Sequence, residues 1–289
     1  MNDSVRQMIA RHRPITPADH LTALREVLQE LALLGLWRHK FYEHAAFYGG
    51  TALRVLHGLD RFSGDLDFSL LAPTPGFALA RYMTTLETEL RAFGFDVRAH
   101  QKPGASRRGA IHSAFLKTHT LRELVSINAP ETITRAIHPD QLLTIKIEVD
   151  TDPPPAFETD VRYLLSPIPF AIRVYALPDL FAGKMHALLC RRWKTRVKGR
   201  DWYDLVWFAA HHPELHLAHL EARMVQSGHW PRERALTAAE WRILMDGAID
   251  TLNLEQARVD VLPFVSDPDA LTVWSREFFH DVTRRVVVV

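Results

Sequence analysis

The sequence predicts an α+β fold, with a mixed α/β domain over residues 1–176 and a helical domain over residues 177–289. Two observations indicate this division. From residue 95 to about 150, short apolar segments alternate with polar residues at the period that is typical of strands. From Pro178 onward, the apolar residues instead recur at helical spacing.

The composition is that of a soluble protein without a strong overall field. The chain has 289 residues, of which 47% are apolar and 24% charged, and its net charge is +1. Any contact with nucleic acid must therefore rest on a local basic patch. A single cysteine, Cys190, excludes an intrachain disulfide. The chain shows neither a signal peptide nor an apolar run of bilayer length, so a cytoplasmic protein without a membrane partner is expected.

The first long element is a helix over residues 16–36. Thr16 is a suitable N-cap, Pro17 suits the first turn, and Asp19 stands at capping-box spacing. Leucines repeat along one face of this helix, which indicates core packing rather than function.

Shorter elements follow in the first domain. Gly49-Gly50 interrupts the chain before a short helix, TALRVLHGL, and FSGDLDFSLL is the next strand. A helix is expected over residues 77–93, and strands over FDVRAH, AIHSAFLKT and LLTIKIEVD. The prolines of TDPPPAF cannot continue a central strand, and IRVYAL is the last candidate strand.

Four segments carry the helical domain: LPDLFAGKMHALLCRRW, RDWYDLVWFAAHH, TAAEWRILMDGAIDTL and PDALTVWSREFFHDVTRR. Most tryptophans fall inside these patterns and are expected in the core. Trp193 and Trp202 are the exceptions and are candidates for base stacking, because they flank a basic run. The terminal VVVV fits either an edge strand or a frayed apolar tail.

The aspartates of FSGDLDFSLL are the first candidates for chemistry. Residues i and i+2 of a strand share a face, so Asp65 and Asp67 project together. Two close carboxylates repel each other unless a cation neutralises them. Mg²⁺, with Mn²⁺ as the alternative, binds such carboxylates together with substrate phosphates. The structural alternative is an exposed pair of acids at a strand end.

Gly49, Gly50 and Thr51 stand where backbone amides at a helix start could approach a phosphate, and Arg54 lies one turn further on. A simple turn is the alternative for the glycines. A third metal-binding carboxylate is expected from LLTIKIEVD. Glu148 is the first choice and Asp150 the fallback, the alternative being a strand with one wet face.

Basic residues cluster where the helical domain begins. Lys184, Ala187 and Arg191 have the spacing of one helical face. Arg191 is a candidate nucleotide contact. The basic run that follows could bind the RNA backbone. Its candidate contacts are Arg192, Lys194, Arg196, Lys198 and Arg200. The alternative is a solvated basic loop. Asp201 and Asp204 follow on one face of the next helix. Asp201 fits an N-cap, and both aspartates could also orient Lys184.

Four motifs in this order, GGTALR, FSGDLDFS, KMHALLCR and RDWYDL, resemble the AbiEii/AbiGii nucleotidyltransferase toxins, which include the mycobacterial MenT toxins. The resemblance implies a DNA polymerase β-like nucleotidyltransferase domain with a mixed sheet, whose active-site cleft the helical domain completes. It also implies a toxin–antitoxin or phage-defence role, transfer to the 3′ end of tRNA, and a separate winged-helix antitoxin.

The same resemblance implies roles for individual residues. Gly49 and Gly50 would lie under the nucleotide phosphates, and Ser63 would be a nucleotide contact or a modification point. Asp65 and Asp67 would bind the metal. Lys184 would contact the triphosphate, and Asp204, with Asp201 beside it, would complete the pocket.

The resulting hypothesis is a metal-dependent nucleotidyltransferase toxin that takes an NTP as substrate and an RNA, in particular tRNA, as acceptor. One alternative is transfer to a small molecule or a protein hydroxyl. Another is a non-catalytic nucleotide-binding module. No motif in the sequence identifies the preferred nucleotide or the acceptor.

Overall fold

The computed structural model describes residues 3–101, 110–191 and 197–289. Its contacts divide the chain into two compact units, each with its own core. Unit 1 comprises Met1–Gly58, Ser63–Pro153 and Val161–Val174. Unit 2 comprises Leu59–Phe62, Pro154–Asp160 and Tyr175–Val289. No helix in the described ranges is long and apolar enough to cross a membrane.

A mixed seven-stranded sheet is the centre of unit 1. Its strands follow the order β3-β4-β5-β2-β1-β7-β6. The central strand β2 runs parallel to β5 and antiparallel to β1. The strands are β1 (Ala45–Tyr48), β2 (Leu66–Leu70), β3 (Arg98–Gln101), β4 (Ile111–His119), β5 (Leu142–Asp150), β6 (Thr159–Leu164) and β7 (Phe170–Tyr175).

In the described part of unit 1, six helices accompany this sheet, together with a 3₁₀ turn at Phe41–Glu43. They are α1 (Asp3–Arg11), α2 (Pro17–Arg38), α3 (Gly49–His57), α4 (Ala80–Ala92), α5 (Thr120–Ser126) and α6 (Glu131–Thr134). The predicted capping box at the start of α2 is confirmed, because Thr16 and Asp19 exchange side chain–backbone hydrogen bonds. The rings of Phe41, Phe47 and Phe68 pack at centroid distances of 5.0 and 5.1 Å and form the centre of the core.

Unit 2 is mainly helical, as the sequence predicts. Its helices are α7 (Leu177–Cys190), α8 (Gly199–His211), α9 (Leu217–Gln226), α10 (Ala238–Asp250), α11 (Leu254–Val261) and α12 (Arg276–Arg284). Two short 3₁₀ turns, Leu262–Phe264 and Pro268–Leu271, precede α12. Phe181 stacks on Phe208 at 4.4 Å, and the fully buried Trp241 fills another part of the core.

The terminal valines form an edge strand in a small second sheet, rather than a frayed tail. Strand β9 (Val287–Val288) pairs in parallel with β8 (Glu214–Leu215). Two further hydrogen bonds, from Val289 N to Leu215 O and from Leu217 N to Val289 O, extend the pairing. Hydrogen bonding of the backbone, rather than apolar burial alone, therefore holds the end of the chain.

Other differences from the predicted elements are small. Strands β1 and β6 were not predicted, since the first is four residues long and the second has little burial. Trp202 was considered for base stacking, which is wrong. Its side chain is buried and packs against Phe279 at a centroid distance of 4.9 Å.

A close approach between α8 and α11 leads to a stability prediction. A Cβ at Gly199 would lie 1.8 Å from the carbonyl oxygen of Ala257. Because a backbone atom has little freedom to move aside, Gly199→Ala should lower the free energy of unfolding by roughly 1–3 kcal/mol or more. Denaturant unfolding measures this loss.

Gly247 is the matched control for this prediction. It lies inside α10, and a Cβ there would meet nothing within 4 Å. Gly247→Ala should therefore raise the free energy of unfolding by about 0.5–1 kcal/mol. Equal effects of the two substitutions would contradict the role of the α8–α11 contact.

Candidate active site

The pairing of β2 with its neighbours places two of the predicted acids side by side. Asp67 lies opposite Glu148 of β5 and opposite Tyr48 of β1. Asp150, the fallback, lies opposite Ser69, two positions further along. Paired strands are about 4.8 Å apart, so the register brings Glu148 rather than Asp150 next to Asp67. Asp65 immediately precedes β2 and is exposed.

Gly49 closes over the carboxylate of Asp67. It has a φ of +83°, and a Cβ there would lie 2.6 Å from Oδ2 of Asp67. A side chain at this position would meet both a steric clash and an unfavourable backbone conformation. The first glycine of the Gly-Gly pair therefore makes room for the carboxylate at the start of α3.

The loop that leads into β2 is held from two sides. The amide nitrogen of Gln29, on α2, donates hydrogen bonds to the carbonyl oxygens of Ser63 at 3.1 Å and Gly64 at 2.9 Å. Thr51 Oγ1 donates to the carbonyl of Asp65, and it lies 3.0 Å from the hydroxyl of Ser63. Ser63 is only 8% exposed. Thr51 and Ser63 thus fix the loop that carries Asp65.

Helix α2 contributes more to this site than the sequence indicates. Besides Gln29, it carries the half-buried Arg25. Burial lowers the pKa of Arg25, and the charge of Asp65 acts in the opposite direction. Arg25 and Gln29 stand four residues apart on α2, so they share a helical face. The predicted core packing of the leucine face of α2 is confirmed, since most of these leucines are buried. The polar pair on the same helix was not predicted as part of the site.

Arg54 is engaged within unit 1 itself. Its Nε lies 2.8 Å from Oε1 of the buried Glu26, whose other oxygen lies 3.2 Å from Nδ1 of His12. Glu26 would lose much of its compensation if Arg54 turned away, since a buried charge requires a partner. The predicted contact of Arg54 with a nucleotide therefore competes with this ion pair.

Glu148 also has partners within the protein. Its Oε1 lies 2.8 Å from Nζ of Lys146 and 3.0 Å from the hydroxyl of Ser113. Within the described ranges, Asp65, Asp67 and Glu148 do not form a preassembled set of three ligand atoms, since the cluster with such spacing lies elsewhere. Their oxygens are nevertheless the ligand type that Mg²⁺ prefers. The donor set fits the ion, although Glu148 would have to leave Lys146.

In unit 2, a fully buried carboxylate joins two cations. Oδ1 and Oδ2 of Asp204 accept hydrogen bonds from Nε and Nη2 of Arg61 at 2.6 and 2.7 Å. Nζ of Lys184 lies 2.7 Å from Oδ2 of the same group. Burial acts to raise the pKa of Asp204, but Arg61 and Lys184 outweigh it and hold that pKa below its ordinary value.

Asp204 therefore positions Lys184, as the helical spacing indicates. Arg61 was missed because it precedes the aspartate motif in a segment without periodicity. Its side chain is 2% exposed, and its bidentate contact anchors the carboxylate. Asp201 lies in the first turn of α8, but Lys198 is the N-cap residue, so the N-cap interpretation of Asp201 was wrong.

The predicted basic residues fall into two groups. Arg192, Lys194 and Arg196, with Trp193, lie outside the described residues. Arg191, Lys198 and Arg200 are described and have different surroundings. Helix α7 ends at Cys190, so the exposed Arg191 does not belong to the predicted helical face. Burial and Arg191 lower the pKa of Lys198. The guanidinium carbon of Arg200 lies 4.3 Å from the ring centre of Phe264, and this stacking occupies one face of the group.

Comparison with known proteins gives one decisive match. The family model described as nucleotidyl transferase AbiEii toxin, type IV TA system, matches residues 31–280. The chain belongs to this family. The AbiEii family is one of toxins in toxin–antitoxin systems, which implies an antitoxin partner. The match spans Gly49, both aspartates, Lys184 and Asp204.

One solved structure supports the fold. JHP933 from Helicobacter pylori has a TM-score of 0.51 and 16% identity, over 91% of this chain and 94% of that chain. A second H. pylori protein, whose description proposes a nucleotidyltransferase, has a TM-score of 0.43 and 17% identity, over 90% and 95% of the two chains. No curated protein matches this chain significantly in sequence.

Two glycines allow the closure over Asp67 to be tested. Gly49→Ala should cost about 1–2 kcal/mol from the left-handed backbone alone, and it should also displace the Asp67 carboxylate. Gly58→Ala is the matched control, since Gly58 has a φ of +78° with nothing within 4 Å of a Cβ. Urea unfolding should show the larger loss for Gly49→Ala. Equal losses would mean that the carboxylate moves aside freely.

The buried ion cluster predicts a large effect at Asp204. Asp204→Asn leaves the buried Arg61 and the partly buried Lys184 without their counter-charge, so the free energy of unfolding should fall by roughly 3–5 kcal/mol. Asp281→Asn, which removes exposed pairs with Arg284 and Arg285, should cost less than about 1 kcal/mol. Similar losses in denaturant unfolding would contradict this account.

The same cluster has a defined dependence on pH. Since the folded-state pKa of Asp204 lies below its ordinary value of 3.8, its stabilising contribution is complete above that pH. It is lost as pH falls through the folded-state pKa. The difference in stability between the wild type and Asp204→Asn should therefore shrink as pH falls below 3.8.

Proposed function

We propose that this AbiEii-family protein is a metal-dependent nucleotidyltransferase toxin that transfers a nucleotide from an NTP to the 3′ end of a tRNA. The observation that carries the proposal is the register of β2, with Asp67 against Gly49 on one side and Glu148 on the next strand. Acids at this spacing suit a site for metal-bound phosphates. The tRNA acceptor rests on the resemblance of the four motifs.

Asp65, Asp67 and Glu148 would hold Mg²⁺ or Mn²⁺, which neutralises phosphate charge when it is bound. In the proposed reaction, a hydroxyl oxygen of the acceptor forms a bond to the α-phosphorus of the NTP. The bond from that phosphorus to the bridging oxygen breaks, and pyrophosphate leaves with the electron pair. Glu148 accepts the proton of the acceptor hydroxyl.

The remaining residues bind and orient. We assign Lys184 to the negative charge of the phosphates, with Asp204 and Arg61 fixing the position of its ammonium group. Asp204 is then a positioning residue, because both of its oxygens are already occupied by cations. The basic run from Arg191 to Arg200 is assigned to the RNA backbone, and a separate winged-helix protein to the role of antitoxin.

A transfer assay tests the proposal. Purified protein is incubated with Mg²⁺, each labelled NTP in turn, and total bacterial RNA. Label should appear in RNA of tRNA size for the preferred nucleotide, and excess EDTA should abolish it. Asp67→Ala and Lys184→Ala should each reduce transfer by at least about 100-fold, since each removes charge stabilisation at the reacting phosphates.

Two exposed residues of matching type serve as controls. Asp140→Ala and Lys40→Ala should retain full transfer, since both side chains are exposed. Activity that survives excess EDTA would contradict metal dependence. NTP consumption without labelled RNA would instead indicate a small-molecule or protein acceptor, and NTP binding without any turnover would indicate a binding module.

A further inference from the structure

One thiol and two imidazoles form a compact cluster in unit 2 that the proposed reaction does not use. His186 and Cys190 stand four residues apart on α7 and therefore share a helical face. His229 comes from the turn that follows α9. The possible ligand atoms of the three side chains all lie within 4.8 Å of one another.

The two imidazoles already point to a common position. The hydroxyl oxygen of Ser227 lies 2.9 Å from Nε2 of His186 and 2.9 Å from Nδ1 of His229. The turn that carries Ser227 and His229 is itself fixed, since the backbone N–H of His229 donates to the carbonyl of Met224 at 2.8 Å. Convergence of ring nitrogens from two separate elements is the geometry that a metal centre requires.

We propose that the protein binds one Zn²⁺ ion through Cys190 Sγ and the imidazoles of His186 and His229, with the Ser227 hydroxyl or a water as the fourth ligand. A thiolate with two imidazoles is a ligand set that suits Zn²⁺. Mg²⁺ prefers oxygen ligands, so this site is chemically distinct from the carboxylates of unit 1. On binding, the Cys190 thiol releases its proton to solvent and forms the sulfur–zinc bond.

The required adjustment is small. Zinc–sulfur and zinc–nitrogen bonds of about 2.3 and 2.0 Å place tetrahedral ligands roughly 3.5 Å apart. The cluster must therefore contract from its spread of 4.8 Å, and His229 can move because its side chain is exposed. Burial and Arg223 lower the pKa of His186 to about 4, whereas burial raises the pKa of the Cys190 thiol to about 11, so a bound ion must displace the thiol proton.

Two nearby cations limit the affinity. Arg223 and Arg191 act electrostatically on His186 and oppose a bound dication. The thiolate formed at Cys190 offsets one positive charge. A bound ion would tie α7 to the turn after α9, and α7 also carries Lys184, two residues before His186. The site is thus a structural one that stiffens the helix bearing this lysine.

The test uses the full chain, stripped with chelator and dialysed. Wild type should take up one equivalent of Zn²⁺ by elemental analysis, with a rise in Tm. Co²⁺ in place of Zn²⁺ should give the thiolate-to-metal absorption band of a tetrahedral site. Cys190→Ala and His229→Ala should each lose the stoichiometric ion and the Tm shift. His138→Ala, an exposed histidine of unit 1, should keep both.

Zinc uptake that is unchanged in Cys190→Ala and His229→Ala would overturn the proposal, as would a wild type that binds no equivalent. If Cys190→Ala fails to fold, the Co²⁺ spectrum of the wild type decides, since the band requires a thiolate ligand. All these measurements are made without NTP or RNA, so their failure would leave the proposed transferase activity untouched.

Discussion

The cost of removing a carboxylate from water shapes both units of this protein. Asp204 is paired with two permanent cations, and Glu26 with the imidazole of His12 and one permanent cation. The pKa values of both acids fall below their ordinary values although burial acts to raise them. Glu123 and Asp179 receive mainly hydroxyl, backbone or imidazole hydrogen bonds instead, and burial raises their pKa values. The two solutions correspond to two roles. The first pair orients basic side chains, whereas the second pair fixes loops and helix starts.

Asp67 of β2 and Asp65, which precedes this strand, are less buried than these four acids. Asp67 is half-buried against Gly49, and Asp65 is exposed. Acids that retain access to solvent while being held by a rigid loop are available to a cation. Gln29 and Thr51 hold the loop before β2 by donating hydrogen bonds to its backbone carbonyl oxygens.

Much of the fold follows from local sequence signals. The capping box at Thr16, the alternation in LLTIKIEVD and the helical spacing after Pro178 each depend on neighbours in the chain, and each element appears in the structure. The choice of Glu148 over Asp150 needs one further fact, the register between β2 and β5. The role of Arg61 depends on a partner 143 residues away, and no local pattern announces it.

The histidines also show that local sequence patterns do not identify partners on distant elements. Helical spacing draws attention to His212, His216 and His219, but Nδ1 of His216 bonds Asp179 and Nδ1 of His219 lies near the carbonyl of Pro155. The cluster that forms instead combines one helix with a turn almost forty residues later. Sequence spacing detects ligands on one element, whereas a site built from two elements depends on how α7 and α9 pack.

The contact between Gly49 and Asp67 also constrains the order in which this sequence can change. A side chain at position 49 collides with the aspartate as long as the aspartate is present. Loss of the aspartate removes the collision but leaves the positive φ at position 49, which still favours glycine. The glycine therefore depends only in part on the aspartate. In a homologue that has lost the aspartate, the glycine would outlast the carboxylate that it accommodates.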